Sequence, residues 1–330
     1  MIKIEKYSDN DFEIWDKFID EISVNGSFLQ SRRFLSYHND KFKDASLLIY
    51  KKNKLVAVFP AAVINEKIVS HPGTTFGGIV YSRAVYNVID MKQILSALEY
   101  YYVKMNYVSI EIKQQNNIYN TGESDLLEYL FCLNKYEEMK EISTYIDLKS
   151  IHNDITRCWS EGQVENYKKT KKYEMSFKEL TTIDQFKSFF DLLIRNLEKY
   201  GVKPVHSFNE LLNLYNEKIR NEIEFYGIYN SERKLIAGTM IFIFHKNSTA
   251  HTQYLAQDYD FNNMRPMTFL YYSIITKFEK MNYKYLTWGI STENKGKILN
   301  ENLLRFKESF GSSHTINRTY IKSLTSDSHD

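Results

Sequence analysis

The sequence predicts an α/β protein made of two copies of one mixed-sheet domain. Three observations carry this. The chain has 330 residues, the length of two ordinary domains at roughly 100–200 residues each. Lys54-Leu55-Val56-Ala57 opens the apolar run KLVAVFPAAVI, and Lys234-Leu235-Ile236-Ala237 opens KLIAGTMIFIF 180 residues later. Lys104-Met105-Asn106-Tyr107 leads into VSIEI, and Lys280-Met281-Asn282-Tyr283 leads into KYLTW at an offset of 176. Two matches in one order at nearly constant spacing mark an internal duplication, with copies at 1–150 and 151–330.

Each copy alternates strand and helix patterns. In the first, a strand at Ile2 to Tyr7 precedes helical spacing from Asp11 to Ile22, where Trp15, Phe18, Ile19 and Ile22 share a face. A short helix near Ser31 to His38 follows, then strands SLLIYKK and KLVAVFPAAVI joined at Lys52-Asn53, a hairpin turn by composition. After IVSHPGTTFGGIVY come a helix at Asp90 to Lys104, strand YVSIEIK, a helix at Ser124 to Leu133 and strand EISTYIDL. The second copy reads as strand MSFKEL, helices Ile183 to Tyr200 and Ser207 to Leu214, then strands IEFYGIYN, KLIAGTMIFIFHK and STAHTQYLAQ. It closes with helix Met267 to Lys280, strand YKYLTWGI, helix Asn302 to Ser309 and strand TINRTYIKSL. The late strand-helix-strand step of each copy is a right-handed crossover, and helices cover both sheet faces. The polar joint at 151–173 carries the basic cluster Lys168, Lys169, Lys171 and Lys172, suited to an anionic group.

Composition excludes several classes. With 43 Lys+Arg against 41 Asp+Glu the net charge is +2, unlike a dedicated nucleic-acid binder. No apolar run approaches the ~20 residues of a membrane span. The N-terminus MIKIEKYSDNDF has no apolar signal core, so the expectation is a cytoplasmic protein. Cys132 and Cys158 form no disulfide framework and read as ordinary buried or half-buried thiols. No His/Cys/Asp cluster has metal spacing, so no metal is expected.

The element order, together with ordered short motifs, resembles the GNAT acyltransferases, and two such units in one chain resemble the FemAB-like tandem-GNAT group. The motifs are KPVHS, IAG, AHTQYLA, RP at a helix start, WGIST, GKILN and FKESFG in the second half, with NGSFLQS and PGTTFGG in the first. The resemblance covers nearly the whole chain. It implies an acyl-CoA co-substrate, most simply acetyl-CoA, and an N-acyltransferase acting on an amine of a small cell-envelope precursor such as an amino-sugar nucleotide. Two alternatives are an aminoacyl-tRNA-dependent peptidoglycan-bridge ligase of FemAB type, for which a net charge of +2 is low, and a non-catalytic tandem domain.

The resemblance also places the site. The donor pyrophosphate is expected on the loop before the late helix, where Arg265 and the amides of Met267 and Thr268 stand at a helix N-terminus. The usual Arg/Gln-x-x-Gly-x-Gly/Ala string is absent there. Tyr254 and Leu255 of AHTQYLA join the donor contacts. His206, beside Lys203, and His251, two residues before Gln253 on one strand face, are the acid–base candidates. Lys203, Gln253 and Ser291 are the acceptor contacts. Lys307 lies four residues before Gly311, where many GNAT enzymes keep a tyrosine that protonates the leaving thiolate. The first copy has no comparable loop and reads as scaffold and acceptor-side wall.

Overall fold

The computed structural model describes residues 1–38, 41–151, 154–199, 201–204 and 206–325. The chain divides into two compact units, one of residues 1–141 with 316–330 and one of residues 142–315.

The first unit opens with strand β1 (Ile2–Lys6), helix α1 (Phe12–Lys17), a widened turn at Phe18–Ile22 and the short helix α2 (Arg32–Leu35). Strands β2 (Lys43–Asp44), β3 (Leu47–Lys51) and β4 (Lys54–Phe59) follow. Lys52 and Asn53 both have positive φ, 50° and 61°, the two-residue hairpin geometry that fits right-twisted strands. The run expected as one strand, KLVAVFPAAVI, breaks at Pro60. Pro60 lacks the N–H that a ladder needs, so β4 pairs with β3 and β7 (Val80–Tyr81), while β5 (Ala62–Ile64) pairs with β2 and β6 (Lys67–Val69). Helix α3 (Val88–Lys104), strand β8 (Ser109–Lys113), helix α4 (Asp125–Leu133) and strand β9 (Glu137–Asp147) complete the N-terminal stretch. Two strand sets result, β1-β3-β4-β7 and β8-β6-β5-β2. α3 buries Met91, Ile94, Leu95, Leu98 and Tyr102 in the core, a 3.6-residue stripe. Tyr100, on the opposite face of the helix, is 65% exposed. Cys132 and Cys158 are exposed free thiols, not buried ones; Cys132 faces out of α4 beside the buried Phe131.

The second unit contains helix α5 (Glu161–Thr170), strand β10 (Met175–Glu179), helices α6 (Ile183–Glu198) and α7 (Phe208–Asn213), and strands β11 (Ile223–Asn230), β12 (Leu235–Phe244) and β13 (Thr249–Gln257). Then come helix α8 (Pro266–Lys280), strands β14 (Tyr285–Ile290), β15 (Thr292–Glu293) and β16 (Ile298–Leu299) and helix α9 (Glu301–Glu308); strand β17 (Ser313–Ser323) follows and from Ile316 belongs to the first unit. Tyr200, expected at the end of α6, lies outside the described residues. α6 starts on a capping box, Thr182 Oγ1 accepting from Gln185 N at 3.3 Å and Gln185 Oε1 accepting from Thr182 N at 3.1 Å, a feature that stabilises by about 1 kcal/mol. The strand order is β10-β11-β12-β13-β14-β9. α6 covers one face, where Gly238 leaves room for Phe189. α8 covers the other with Leu270, Tyr271, Ile274, Ile275 and Phe278.

The duplication is visible in the ladders. β1-β3-β4 and β10-β11-β12 are both antiparallel triplets. Among the described residues each unit also has a three-residue parallel pair. Lys67, Ile68 and Val69 lie beside Ser109, Ile110 and Glu111 in the first unit. Thr249, Ala250 and His251 lie beside Tyr285, Leu286 and Thr287 in the second. No helix among the described residues is long and apolar enough to cross a membrane.

Candidate active site

The parallel pair of the second unit comes apart. β13 and β14 match residue for residue only through His251 and Thr287, with Thr252 Oγ1 donating to the Thr287 carbonyl at 3.2 Å as a last tether. Beyond that point β13 follows β12 to Gln257 and β14 follows β9 to Ile290. Each strand carries a bulge where they part. Met240 faces Tyr254 and Ile241 faces Thr252, so Gln253 is an extra residue; Thr287 faces Tyr145 and Gly289 faces Thr144, so Trp288 is another. A bulge bends its strand and re-aims side chains. Gly289 has φ 72°, the left-handed region that glycine adopts without strain, and its missing Cβ would sit 3.5 Å from His251 Cε1.

Lys307 reaches this fork from α9. It is 4% exposed, and its ammonium donates to the carbonyls of Gly289 at 3.0 Å and Ile290 at 2.7 Å. Burial disfavours the charged form and lowers its pKa to about 8. His251 is buried beside it. Desolvation first, and the Lys307 charge second, push its pKa down to about 4, against a hydrogen bond with Gln253 that favours protonation. At neutral pH the pair is therefore a neutral imidazole next to a cation that gives up its proton readily.

The other expected residues fall into three places. His206 is a buried side chain, not an open loop histidine: its Nδ1 is hydrogen-bonded to the Tyr254 hydroxyl at 2.6 Å, whereas Lys203 is exposed. Leu255 packs on the apolar core beneath α8. Ser291 is fully buried at the end of β14, its amide donating to the Ile142 carbonyl at 2.8 Å and its carbonyl accepting from Asn300 N at 3.0 Å.

At the start of α8, Arg265 takes φ 57° and Pro266 fills the first helical position. The Met267 and Thr268 amides thus open the helix with no carbonyl a turn behind them. Arg265 Nε is buried without a partner. Thr268 Oγ1 accepts from Gln163 Nε2 of α5 at 2.8 Å, and Tyr167 stacks on Tyr272 with ring centroids 4.1 Å apart. Both contacts step four residues the same way, so α5 and α8 run parallel, N-terminus beside N-terminus. The basic cluster lies at the opposite end, with Lys168 and Lys169 in the last turn of α5 and Lys171 and Lys172 just after it.

Sequence reasoning did not single out Gly289, Trp288 or Gln163. Gly289 stood within the WGIST motif, where a glycine inside a strand signals a bulge or a close approach. Gln163 gave no signal, because its partner Thr268 is 105 residues away.

The equivalent place in the first unit is closed. Val69 and Glu111 hold the register positions of His251 and Thr287. Beyond them Ser70 N donates to Glu111 O at 2.8 Å, Ser70 Oγ accepts from Lys113 N at 2.7 Å, and Gly77 N donates to Lys113 O at 3.0 Å. A Cβ at Gly77 would fall 2.2 Å from the Ser70 carbonyl oxygen, so glycine permits this close stitch.

No family model matches the sequence, and no curated protein matches it. Solved structures do. FemX superposes with a TM-score of 0.67 at 10% identity, covering 96% of both chains. L-PGS from Bacillus licheniformis gives 0.60 at 12% identity over 95% of this chain and 91% of that one. A tandem GNAT protein from the clavulanic acid biosynthesis pathway gives 0.55 at 7% identity over 98% and 99%. The likeness is one of fold: the chain has the FemAB-like tandem-GNAT fold.

Proposed function

We propose that the chain is an acyltransferase that moves an acyl group from a thioester or ester donor to an amine, with its chemistry in the second unit. The observation that carries this reading is Lys307, a buried ammonium with pKa about 8 held where β13 and β14 part. The acceptor amine attacks the acyl carbonyl, the new C–N bond forms, and the bond to the leaving sulfur or oxygen breaks. Lys307 stabilises the developing oxyanion and protonates a leaving thiolate, whose own pKa of about 8.5 is close to its own. His251 is too weak a base at neutral pH to compete for that proton; held by Gln253, it serves as a neutral hydrogen-bonding wall. The His206–Tyr254 pair is the route by which the attacking amine loses its proton, the Tyr254 hydroxyl passing it to the imidazole.

The donor we favour is acyl-CoA, acetyl-CoA in the simplest case. Its diphosphate would meet Arg265 and the Met267 and Thr268 amides at the positive end of the α8 dipole. The acceptor we favour is a small amine such as an amino-sugar nucleotide. The closed fork of the first unit supports one reaction centre per chain. One observation favours a second donor: the loop before α8 lacks the glycines that bring backbone close to a diphosphate, which suits an aminoacyl-tRNA ester instead. The test is thiol release from acetyl-CoA with a panel of amino-sugar nucleotides, set beside transfer of a labelled amino acid from aminoacyl-tRNA. Acceptor-dependent release of CoA supports the first donor and labelled transfer the second. Silence in both, with a folded protein, overturns the transferase reading.

A further inference from the structure

The first unit holds a buried charge that the transferase reading leaves unused. Arg32 opens α2 and is 4% exposed. Its backbone is anchored by Asp16, whose carboxylate accepts from the amides of Arg32 and Arg33. Its guanidinium carbon lies 3.4 Å from the Tyr7 ring centroid and 4.1 Å from that of Trp15, and Trp15 is itself fixed by an Nε1 bond to the Gln30 carbonyl at 2.8 Å. Nη1 is paired with the Asp44 carboxylate. The other two nitrogens, Nε and Nη2, are buried and have no hydrogen-bond partner.

The identity of those two atoms matters. The Nε–H and the Nη2–H on that side of a guanidinium point the same way from one edge, and that edge is the planar fork that takes two oxygens of a carboxylate or phosphate at once. Asp44 meets the group at Nη1 and leaves this fork empty. Buried polar groups are satisfied with few exceptions, and an exception calls for an explanation. A fully buried arginine is rarer still without a complete set of partners.

The surroundings suit an entering anion. Asp44 also lines a cavity of about 70 Å³ whose wall includes the exposed Lys6 and Lys43, so two ammonium groups share a wall with the carboxylate that pairs with Arg32. His71, buried nearby with φ 44°, is held neutral, its pKa lowered to about 4 by burial and then by the Arg32 charge. It therefore adds no charge of its own there. We propose that the Nε/Nη2 edge of Arg32 is a binding site in the first unit for an oxyanion, a carboxylate or phosphate group of a ligand. This site is independent of the transferase reading, since it needs neither donor nor turnover.

The experiment uses the full chain labelled with nitrogen-15 and follows the Arg32 Nε–H resonance, assigned by through-bond correlation and checked by its loss in Arg32→Lys. Inorganic phosphate is titrated in one arm and succinate in the other, each to about 50 mM, which reveals millimolar dissociation constants. Chloride at matched ionic strength is the control. A saturable shift of the Arg32 signal with phosphate or succinate and not with chloride is expected, and the stronger arm names the group. Arg32→Lys keeps the charge and loses the fork, so the saturable rise in melting temperature that the same anion gives should fall at least tenfold in apparent affinity. An Arg32 resonance that moves with neither anion, or an equal thermal response in folded Arg32→Lys, overturns the proposal and leaves the ring contacts as the whole role of the side chain.

Discussion

Lys307 binds its proton more weakly folded than unfolded, with a pKa near 8 against 10.5. Between those values the unfolded chain holds more protons, so folding stability rises with pH across about 8 to 10.5; below pH 8 both states are charged and the burial cost is in full force. That cost is on the order of 3 kcal/mol at 1.36 kcal/mol per unit. Lys307→Met should therefore fold at least as well as the parent at pH 7, and its stability relative to the parent should decline from pH 8 to 10.5, measured by urea unfolding. Its kcat should fall by about 100-fold or more. A Lys307→Met enzyme turning over at the parent rate would remove Lys307 from the chemistry. Tyr254→Phe and His206→Ala break the same hydrogen bond, so their effects on kcat should be non-additive in a double-mutant cycle. Little of this geometry was legible: His251 and Gln253 are hydrogen-bonded, but Gln253 is the bulged residue of β13, so two-residue spacing does not by itself account for their meeting. The burial of His206 was not legible, because it depends on Tyr254, 48 residues on, and a loop position carries no periodicity to reveal it.

At the level of elements, the bulges decide where side chains go. Helices and strands were readable to within a few residues because capping and periodicity are local, and the capping box before α6 is an instance. The bulge at Gln253 was not readable, since an extra residue exists only relative to a neighbouring strand, and the one at Trp288 left only the strand glycine Gly289 as a hint. The break at Pro60 was readable in principle from its missing N–H, yet the flanking apolar residues mask it. Gly289→Ala meets only ordinary contact with His251, so its penalty comes from φ 72°. We expect a loss of about 1–2 kcal/mol in the unfolding midpoint analysis, with kcat reduced because the carbonyl that holds Lys307 moves. Arg265 is another left-handed residue. Arg265→Gly should raise thermal stability by about 1 kcal/mol while raising the donor KM roughly tenfold or more through the lost charged contact, with kcat little changed. A drop in kcat at constant KM would instead make Arg265 part of the reaction centre.

At the level of the molecule, the repeat offsets disclosed the duplication, and the ladders repeat it down to the same three-residue parallel pair. What the offsets did not disclose is how the ends are used, because strand pairing across 200 residues leaves no local trace. The first unit takes its last strand from the far end of the chain: Thr319 to Ser323 pair with β8, Tyr320 stacks on Phe131 at 4.5 Å between centroids, and Lys322 bonds Glu99 at 2.7 Å. Deleting residues from Ile316 onward should strip hydrogen-exchange protection from α3, α4 and β8 while sparing β11 to β13. Equal loss in both units would show that the second also depends on that strand.

That borrowed strand also orders events on the ribosome. The second unit is a continuous run, 142–315, so everything it needs has been made before the first unit's closing strand exists. At roughly 5–20 residues per second, the 174 residues of 142–315 take about 9–35 seconds to synthesise. For that interval the amino-terminal half waits with one edge of β8 unpaired and Phe131 without its Tyr320 partner. The half that is born first is the last to be finished.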